Sequence, residues 1–156
     1  MASPLLDHCP PTLPAVAYRD PDWHAREMAA IWRRDWVCVG RAEDFPDRTV
    51  QRAEVGGAQV IVVNDGSETR AFHNVCRHRG AELCAAEAPL GRLLTCPYHA
   101  WAYAPDGRLV STAYGTPTPD FRREDHGLLP LHVRLWNGIL FLSAAPEPPP
   151  FVTDVP

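Results

Sequence analysis

The sequence predicts a small, mostly β domain, an antiparallel β-sandwich or barrel with one leading helix, on three observations. Its 156 residues suffice for one domain and are too few for two substantial hydrophobic cores. Seventeen are proline, about twice the usual ~5%, which opposes a helical bundle because proline costs ~3 kcal/mol inside a helix. Short apolar runs are separated by Gly56-Gly57, Asp65-Gly66, Asp106-Gly107 and Asn137-Gly138, dipeptides that close tight hairpins.

Residues 1–19 read as an extended Pro-rich segment, 20–145 as the folded unit and 146–156 as a Pro-rich tail, since ten of the prolines lie in Met1 to Pro21 and Pro146 to Pro156. The folded unit opens with a helix: Asp20 caps it, Pro21 takes the favoured first position, and Met28, Ile31 and Trp32 recur at helical spacing up to about Arg34. Strands follow over Trp36 to Val39, Val50 to Val55 and Gln59 to Val63, and later over Leu131 to Leu135 and Ile139 to Leu142.

Composition excludes several classes of function. Net charge is -4 and every one of the 15 basic residues is arginine, with no basic stripe to hold a phosphate backbone, so nucleic acid is not expected as a partner. The longest apolar run, around Ile139 to Leu142, is far short of the ~20 residues that span a bilayer, so no membrane anchor is expected. Met1 to Pro11 lacks the charged leader and apolar centre of a secretory signal, which points to a reducing cytoplasm. Five cysteines, Cys9, Cys38, Cys76, Cys84 and Cys96, are odd in number and sparse, so a metal is a better use for them than disulfides.

Two motifs carry the chemistry: Cys76-Arg77-His78 and Cys96-Pro97-Tyr98-His99, with seventeen residues between His78 and Cys96. Each supplies a thiolate and an imidazole, and Gly80 and Pro97 place both in loops expected at hairpin tips. A lone Cys or His in such a chain is ordinarily a packed side chain; two mixed pairs are not ordinary. Zinc accepts two Cys and two His but usually takes them as like pairs. A binuclear iron-sulfur centre with two Cys on one iron and two His on the other suits mixed loops, each giving one ligand to each iron. Both metals remain open on spacing alone.

The stretch Asn74-Val75-Cys76-Arg77-His78-Arg79-Gly80-Ala81, followed by Thr95-Cys96-Pro97-Tyr98-His99-Ala100-Trp101, resembles the Rieske domain at the front of the large α subunit of aromatic-ring-hydroxylating oxygenases, the Rieske non-haem iron oxygenases. The likeness extends through the leading helix, Trp36 to Gly40, and Asp125-His126-Gly127-Leu128 to Phe141, about residues 13–145. It implies a Rieske-type fold and a 2Fe-2S cluster, with Cys76 and Cys96 on the inner iron and His78 and His99 on the outer iron through their δ nitrogens. One departure is Ala100, where the family usually has glycine, a change expected to tighten the second loop.

The resemblance further implies an electron-transfer role. The domain would take single electrons from a ferredoxin or flavin reductase and pass them to a mononuclear non-haem Fe(II) in a catalytic domain, in the family usually that of a neighbouring subunit. The whole enzyme would hydroxylate or demethylate an organic substrate with dioxygen. No catalytic residue is assigned in this chain, and whether it is an enzyme by itself is left open. His126 and His132, with Asp125 nearby, do not match the family's iron-binding helix, because Gly127 and Pro130 interrupt it. A free-standing Rieske-type ferredoxin is the alternative, and a structural zinc module a third reading.

Neighbouring residues bear on the potential. Respiratory Rieske proteins carry two extra loop cysteines and a serine where this chain has Ala81, Tyr98 and Trp101; fewer hydrogen bonds to sulfur imply a potential toward the low end of the Rieske range of about -150 to +300 mV. Tyr103 keeps a hydroxyl able to reach a cysteine sulfur, and Trp101 is expected to shield the cluster. Reduction is expected to raise the pKa of His78 and His99, so the potential falls as pH rises through their oxidised-state pKa. Cys9, Cys38 and Cys84 are read as small buried hydrophobes, His73 as packing or surface, and Arg77 and Arg79 as solvated charges or a docking site for an acidic partner.

Overall fold

In the computed structural model, which describes residues 11–115 and 118–153, the helix forms where its signals stand. The Asp20 side chain accepts from the Asp22 amide, and Pro21 opens α1, Pro21–Glu27, so one amide of the first turn, which has no intrahelical acceptor, is satisfied. A wider π-type turn, Met28–Trp32, completes it. The arm buries no residue of its own. It meets the sheet at Gly56, whose carbonyl accepts from Arg33 Nε at 3.1 Å. Upstream, Ala15–Tyr18 is a short 3-10 turn rather than extended chain; the rest of the expected Pro-rich segment, residues 1–10 including Cys9, lies outside the described residues.

Ten strands follow: β1 Val37–Arg41, β2 Thr49–Val55, β3 Ala58–Asn64, β4 Thr69–His73, β5 Ala88–Pro89, β6 Leu94–Thr95, β7 Ala102–Tyr103, β8 Leu109–Ser111, β9 Pro130–Trp136 and β10 Ile139–Ser143. All pair antiparallel, in a curled seven-stranded sheet ordered β1-β10-β9-β4-β3-β2-β5 and a three-stranded sheet β6-β7-β8. Two hairpins close as expected: Gly56 and Gly57 (φ 56° and 80°) join β2 to β3, and Asn137 and Gly138 (φ 47° and 78°) join β9 to β10. Positive φ at both central residues is the turn whose twist matches the strands it joins.

The run Val60-Ile61-Val62-Val63 is buried on both faces of β3. Val60 and Val62 pack with Phe45, Val55, Leu140 and Leu142; Ile61 and Val63 pack with Phe72, Trp101, Tyr103 and Leu109. The expected single core is therefore two clusters back to back, sharing β3, and the second contains Cys76 and Cys96. Cys38 departs from its reading as a buried hydrophobe: it is exposed on β1, because Val37 and Val39 take the core face and alternation turns Cys38 outward.

The stretch from Pro146 to Phe151 is docked on the sheet. Trp36 Nε1 donates to the Pro149 carbonyl at 2.8 Å, and the Phe151 ring packs edge-on against Trp36 and Phe141 at 5.3 and 5.1 Å. No helix among the described residues is long and apolar enough to cross a membrane.

The β3–β4 turn is organised by Asp65. Its Oδ1 accepts from Ser67 Oγ at 2.6 Å and from the Ser67 and Glu68 amides at 2.8 and 2.9 Å, while Oδ2 accepts from Arg70 at 2.6 Å. Those bonds, Ser67's foremost, hold the carboxyl well below the usual carboxylate range. A depressed carboxyl pKa contributes stability above its unfolded value of about 3.9 and loses it as pH falls toward the folded value. Asp65→Ala is thus expected to lower the melting temperature at neutral pH, with the deficit shrinking as pH falls below about 4. Thermal scans of both proteins from neutral to acid pH check this; a deficit that widens in acid contradicts it.

Candidate metal centre

The two motif loops repeat one backbone design. In the first, the Cys76 amide donates to Ala81 O at 2.8 Å and the Gly80 amide to Cys76 O at 3.0 Å; in the second, the Cys96 amide donates to Trp101 O at 2.8 Å and the Ala100 amide to Cys96 O at 3.0 Å. Ala100 thus stands where Gly80 stands, and both are left-handed, at φ 54° and 72°. Glycine takes that conformation freely, whereas a Cβ makes it cost about 1–2 kcal/mol, so the second loop is closed under strain. It is the tip of the β6–β7 hairpin, as expected; the first loop follows β4 and its far side, residues 81–84, belongs to no strand.

Folding brings the four motif side chains together in two pairs. Cys76 and Cys96, 2% and 3% exposed, lie side by side at the end of one core. His78 and His99 face outward with ring centroids 4.9 Å apart. Among the described residues no three His, Cys, Asp or Glu side chains gather around one point as a single ion requires. A buried thiol pair and an outward imidazole pair match instead two adjacent irons with unlike ligands.

Two observations test that fit. His99 Nδ1 is buried without a hydrogen-bond partner, an orphan of the kind that costs free energy unless something occupies the position it faces. Burial pushes the Cys76 thiol above its ordinary range, the adjacent Cys96 adds to this, and the Tyr103 hydroxyl opposes it. A thiol pair so placed is uncomfortable as thiolates in an empty site and comfortable when a cation takes up the charge. His78 is held below its usual range by partial desolvation, then by the charges of His99 and Arg79, leaving the neutral imidazole that ligates metal.

Tyr103 is fully buried, its hydroxyl 3.3 Å from Cys76 Sγ and accepting from the Arg77 amide at 3.0 Å. Burial and the contact with Cys76 push the phenol well above its ordinary range, so it keeps its proton, and against a Cys76 thiolate the hydroxyl is the donor. A hydrogen bond to a thiolate strengthens as the site gains negative charge. Tyr103→Phe is therefore expected to lower the reduction potential by roughly 40 mV, if the bond favours the reduced state by about 1 kcal/mol. A redox titration of both proteins measures it, and an unchanged or higher potential counts against the role.

The surroundings treat the two imidazoles differently. His78 stacks on Trp101, centroids 4.8 Å apart and planes 10° off parallel, and Trp101 is 5% exposed, with Phe121 and His126 against its edge. His99 has only Tyr98 over it, at 3.7 Å, and Tyr98 is 61% exposed. Cys84 is buried with its thiol donating to Ala86 O, and His73 is half-buried at the end of β4. Arg77 and Arg79 point to solvent. His126 and His132 are far apart in role: His126 packs on Phe121, while His132 meets the Pro146 carbonyl at 3.3 Å.

Comparison with known proteins agrees with this geometry. A family model, the Rieske [2Fe-2S] domain, matches residues 35–122. The chain is 39% identical over 140 residues to the glycine betaine monooxygenase oxygenase subunit of Chromohalobacter salexigens, covering 88% of this chain and 31% of that protein. It is 34% identical over 134 residues to the carnitine monooxygenase oxygenase subunit of Acinetobacter baumannii, covering 85% and 36%. It thus spans about a third of the length of these curated relatives. Among solved structures, an inhibitor-bound quaternary ammonium Rieske monooxygenase superposes with a TM-score of 0.80 at 29% identity, covering 88% of this chain and 39% of the other. Naphthalene 1,2-dioxygenase from Rhodococcus sp. superposes at 0.78 with 29% identity, covering 87% and 32%. Thiols below, imidazoles above and two loops of one design are features that these likenesses join to a single name: the chain belongs to the Rieske [2Fe-2S] domain family.

Proposed function

We propose that this chain is the electron-transfer portion of a Rieske oxygenase subunit, with Cys76 and Cys96 holding the inner iron and His78 and His99 the outer iron of a 2Fe-2S cluster. The observation that carries the assignment is the orphaned, buried Nδ1 of His99, in the loop that also carries the buried Cys96. When bound, such a cluster supplies one-electron redox capacity with the potential tuned by its ligands and hydrogen bonds. The chain's own residues do the rest. Trp101 excludes water from the His78 side, Tyr103 holds a proton at Cys76 Sγ, and the outward imidazoles lie where a partner can approach.

In this reading electrons arrive from a ferredoxin or flavin reductase in the cytoplasm and leave for a mononuclear non-haem iron in the catalytic portion, of the same or a neighbouring subunit. Inter-subunit electron transfer is named for one related quaternary ammonium Rieske monooxygenase. Monooxygenation of a quaternary ammonium compound is favoured over aromatic ring dioxygenation, because the glycine betaine and carnitine monooxygenase subunits are 39% and 34% identical to this chain. The likeness to them runs over 140 residues, leading helix included, which favours the oxygenase over a free-standing ferredoxin. The folded unit is taken as 20–145, with the docked stretch to Phe151 attached to it.

The test is electron paramagnetic resonance of the dithionite-reduced chain, with iron and acid-labile sulfide assays. A Rieske-type signal with nitrogen coupling from two imidazoles is expected. A zinc-loaded, colourless protein overturns the assignment.

A further inference from the structure

The two ligand loops share an internal pattern but not the way their stems close. The second hangs from two ladder pairs, Leu94 with Tyr103 and Thr95 with Ala102. The first has no such ladder, and its closure rests on the side chain of Asn74, two residues ahead of Cys76. Asn74 is 2% exposed. Its Oδ1 accepts from the Leu83 and Cys84 amides, each at 3.0 Å, and its Nδ2 donates to the Cys84 carbonyl at 2.7 Å and to Glu82 Oε1 at 3.2 Å. A carboxamide carries the donors and acceptor of a peptide group, so this one side chain substitutes for the missing rung of a hairpin.

Both ends of the clamp are anchored. The Asn74 amide donates to Gln59 O at 3.0 Å, tying it to β3. On the far side Arg52 of β2 meets Glu82 at 3.4 Å and donates to Ala85 O at 3.1 Å and to Gln59 Oε1 at 2.7 Å. None of these bonds uses the side chain of a proposed ligand, so none depends on a bound metal. The second loop reaches the same end by backbone bonds alone, its ladder pairs together with the Cys96 amide on Trp101 O and the Ala100 amide on Cys96 O.

We infer that Asn74 is a positioning residue that closes the first ligand loop before any cluster binds, presenting Cys76 and His78 pre-formed. The inference rests on the proposed ligand set. A buried asparagine that served stability alone would make the same bonds; the two roles part in what the metal-free chain and the variants do.

The experiment is amide hydrogen exchange on the full chain, metal-free and reconstituted, with cluster release to an iron chelator followed in parallel. In the metal-free wild type the Leu83 and Cys84 amides are expected to be protected. In Asn74→Ala the first two amides lose protection and cluster release accelerates about tenfold, the scale of one buried hydrogen bond lost. Leu142→Ala, a core change remote from both loops, is expected to lower the melting temperature with release near the wild-type rate. Free exchange at Leu83 and Cys84 in the metal-free wild type overturns the inference. So does release from Asn74→Ala no faster than from Leu142→Ala. If Asn74→Ala does not fold, the wild-type exchange pattern decides. A wild type that takes up no cluster sinks the proposed function and leaves the exchange test of the loop standing.

Discussion

Cys96→Ala is expected to abolish the cluster: the purified variant is colourless, silent in electron paramagnetic resonance after reduction, and has lost iron and labile sulfide together. Cys96 is 3% exposed and bounded by Cys76 and the core around Trp101 and Tyr103, and the other thiol of that core, Cys84, is engaged with Ala86 O. Because a group that binds only the folded chain adds to its stability, the variant should melt where metal-free wild type melts and no lower. A companion change separates ligand chemistry from folding. His99→Cys offers a thiolate where an imidazole stood, and thiolate ligation carries 2Fe-2S centres from the Rieske range toward about -400 mV. A cluster retained with a potential lower by a few hundred mV is expected there. Retention of an unaltered signal in Cys96→Ala refutes the assignment.

The second large effect is expected at a residue that touches no ligand. Gly107 lies in the turn between β7 and β8 at φ 87°, and a Cβ there would lie 2.4 Å from Cε1 of Phe72, a buried core ring. The turn is fixed from three sides: the Gly107 amide donates to Ala104 O at 2.9 Å, its carbonyl accepts from the Leu128 amide at 2.8 Å, and Arg108 N donates to Asp106 Oδ1 at 3.0 Å. Gly107→Ala thus adds left-handed strain of about 1–2 kcal/mol to overpacking of about 1–3 kcal/mol. Together these correspond to a fall in melting temperature of roughly 5–15 °C for a chain of this size. Differential scanning calorimetry of the variant measures it. A fall under a degree would mean that the turn and Phe72 separate freely, contrary to the packing described.

Much of this was legible before any coordinates. Glycine and asparagine pairs marked the hairpins because positive φ restricts which residues can turn there, and Asp20-Pro21 marked the helix start for an equally local reason. The two mixed Cys/His motifs identified the candidate site because ligand chemistry needs particular residue types at short spacing. Contacts between remote residues were not legible. Asn74 stands next to the first motif, but its partners at 82–84 depend on how the loop folds back. Phe151 reads as part of a Pro-rich tail until Trp36, over a hundred positions earlier, is beside it. The two cores share β3 because sheets cover it on both sides, a fact of topology that the run Val60-Ile61-Val62-Val63 hints at by having no polar face. The exposure of Cys38 is local and legible: Val37 and Val39 flank it, and alternation alone turns it to solvent.

The parallel stack of His78 on Trp101 has a consequence for speed as well as for shielding. Phe121 and His126 brace the far edge of the indole, so the imidazole lying on it has little room to tilt. As a ligand, a ring so held would contribute little nuclear rearrangement to electron transfer, because preorganised groups incur no such cost at the moment of transfer. His99, half-buried, lies instead under an exposed tyrosine.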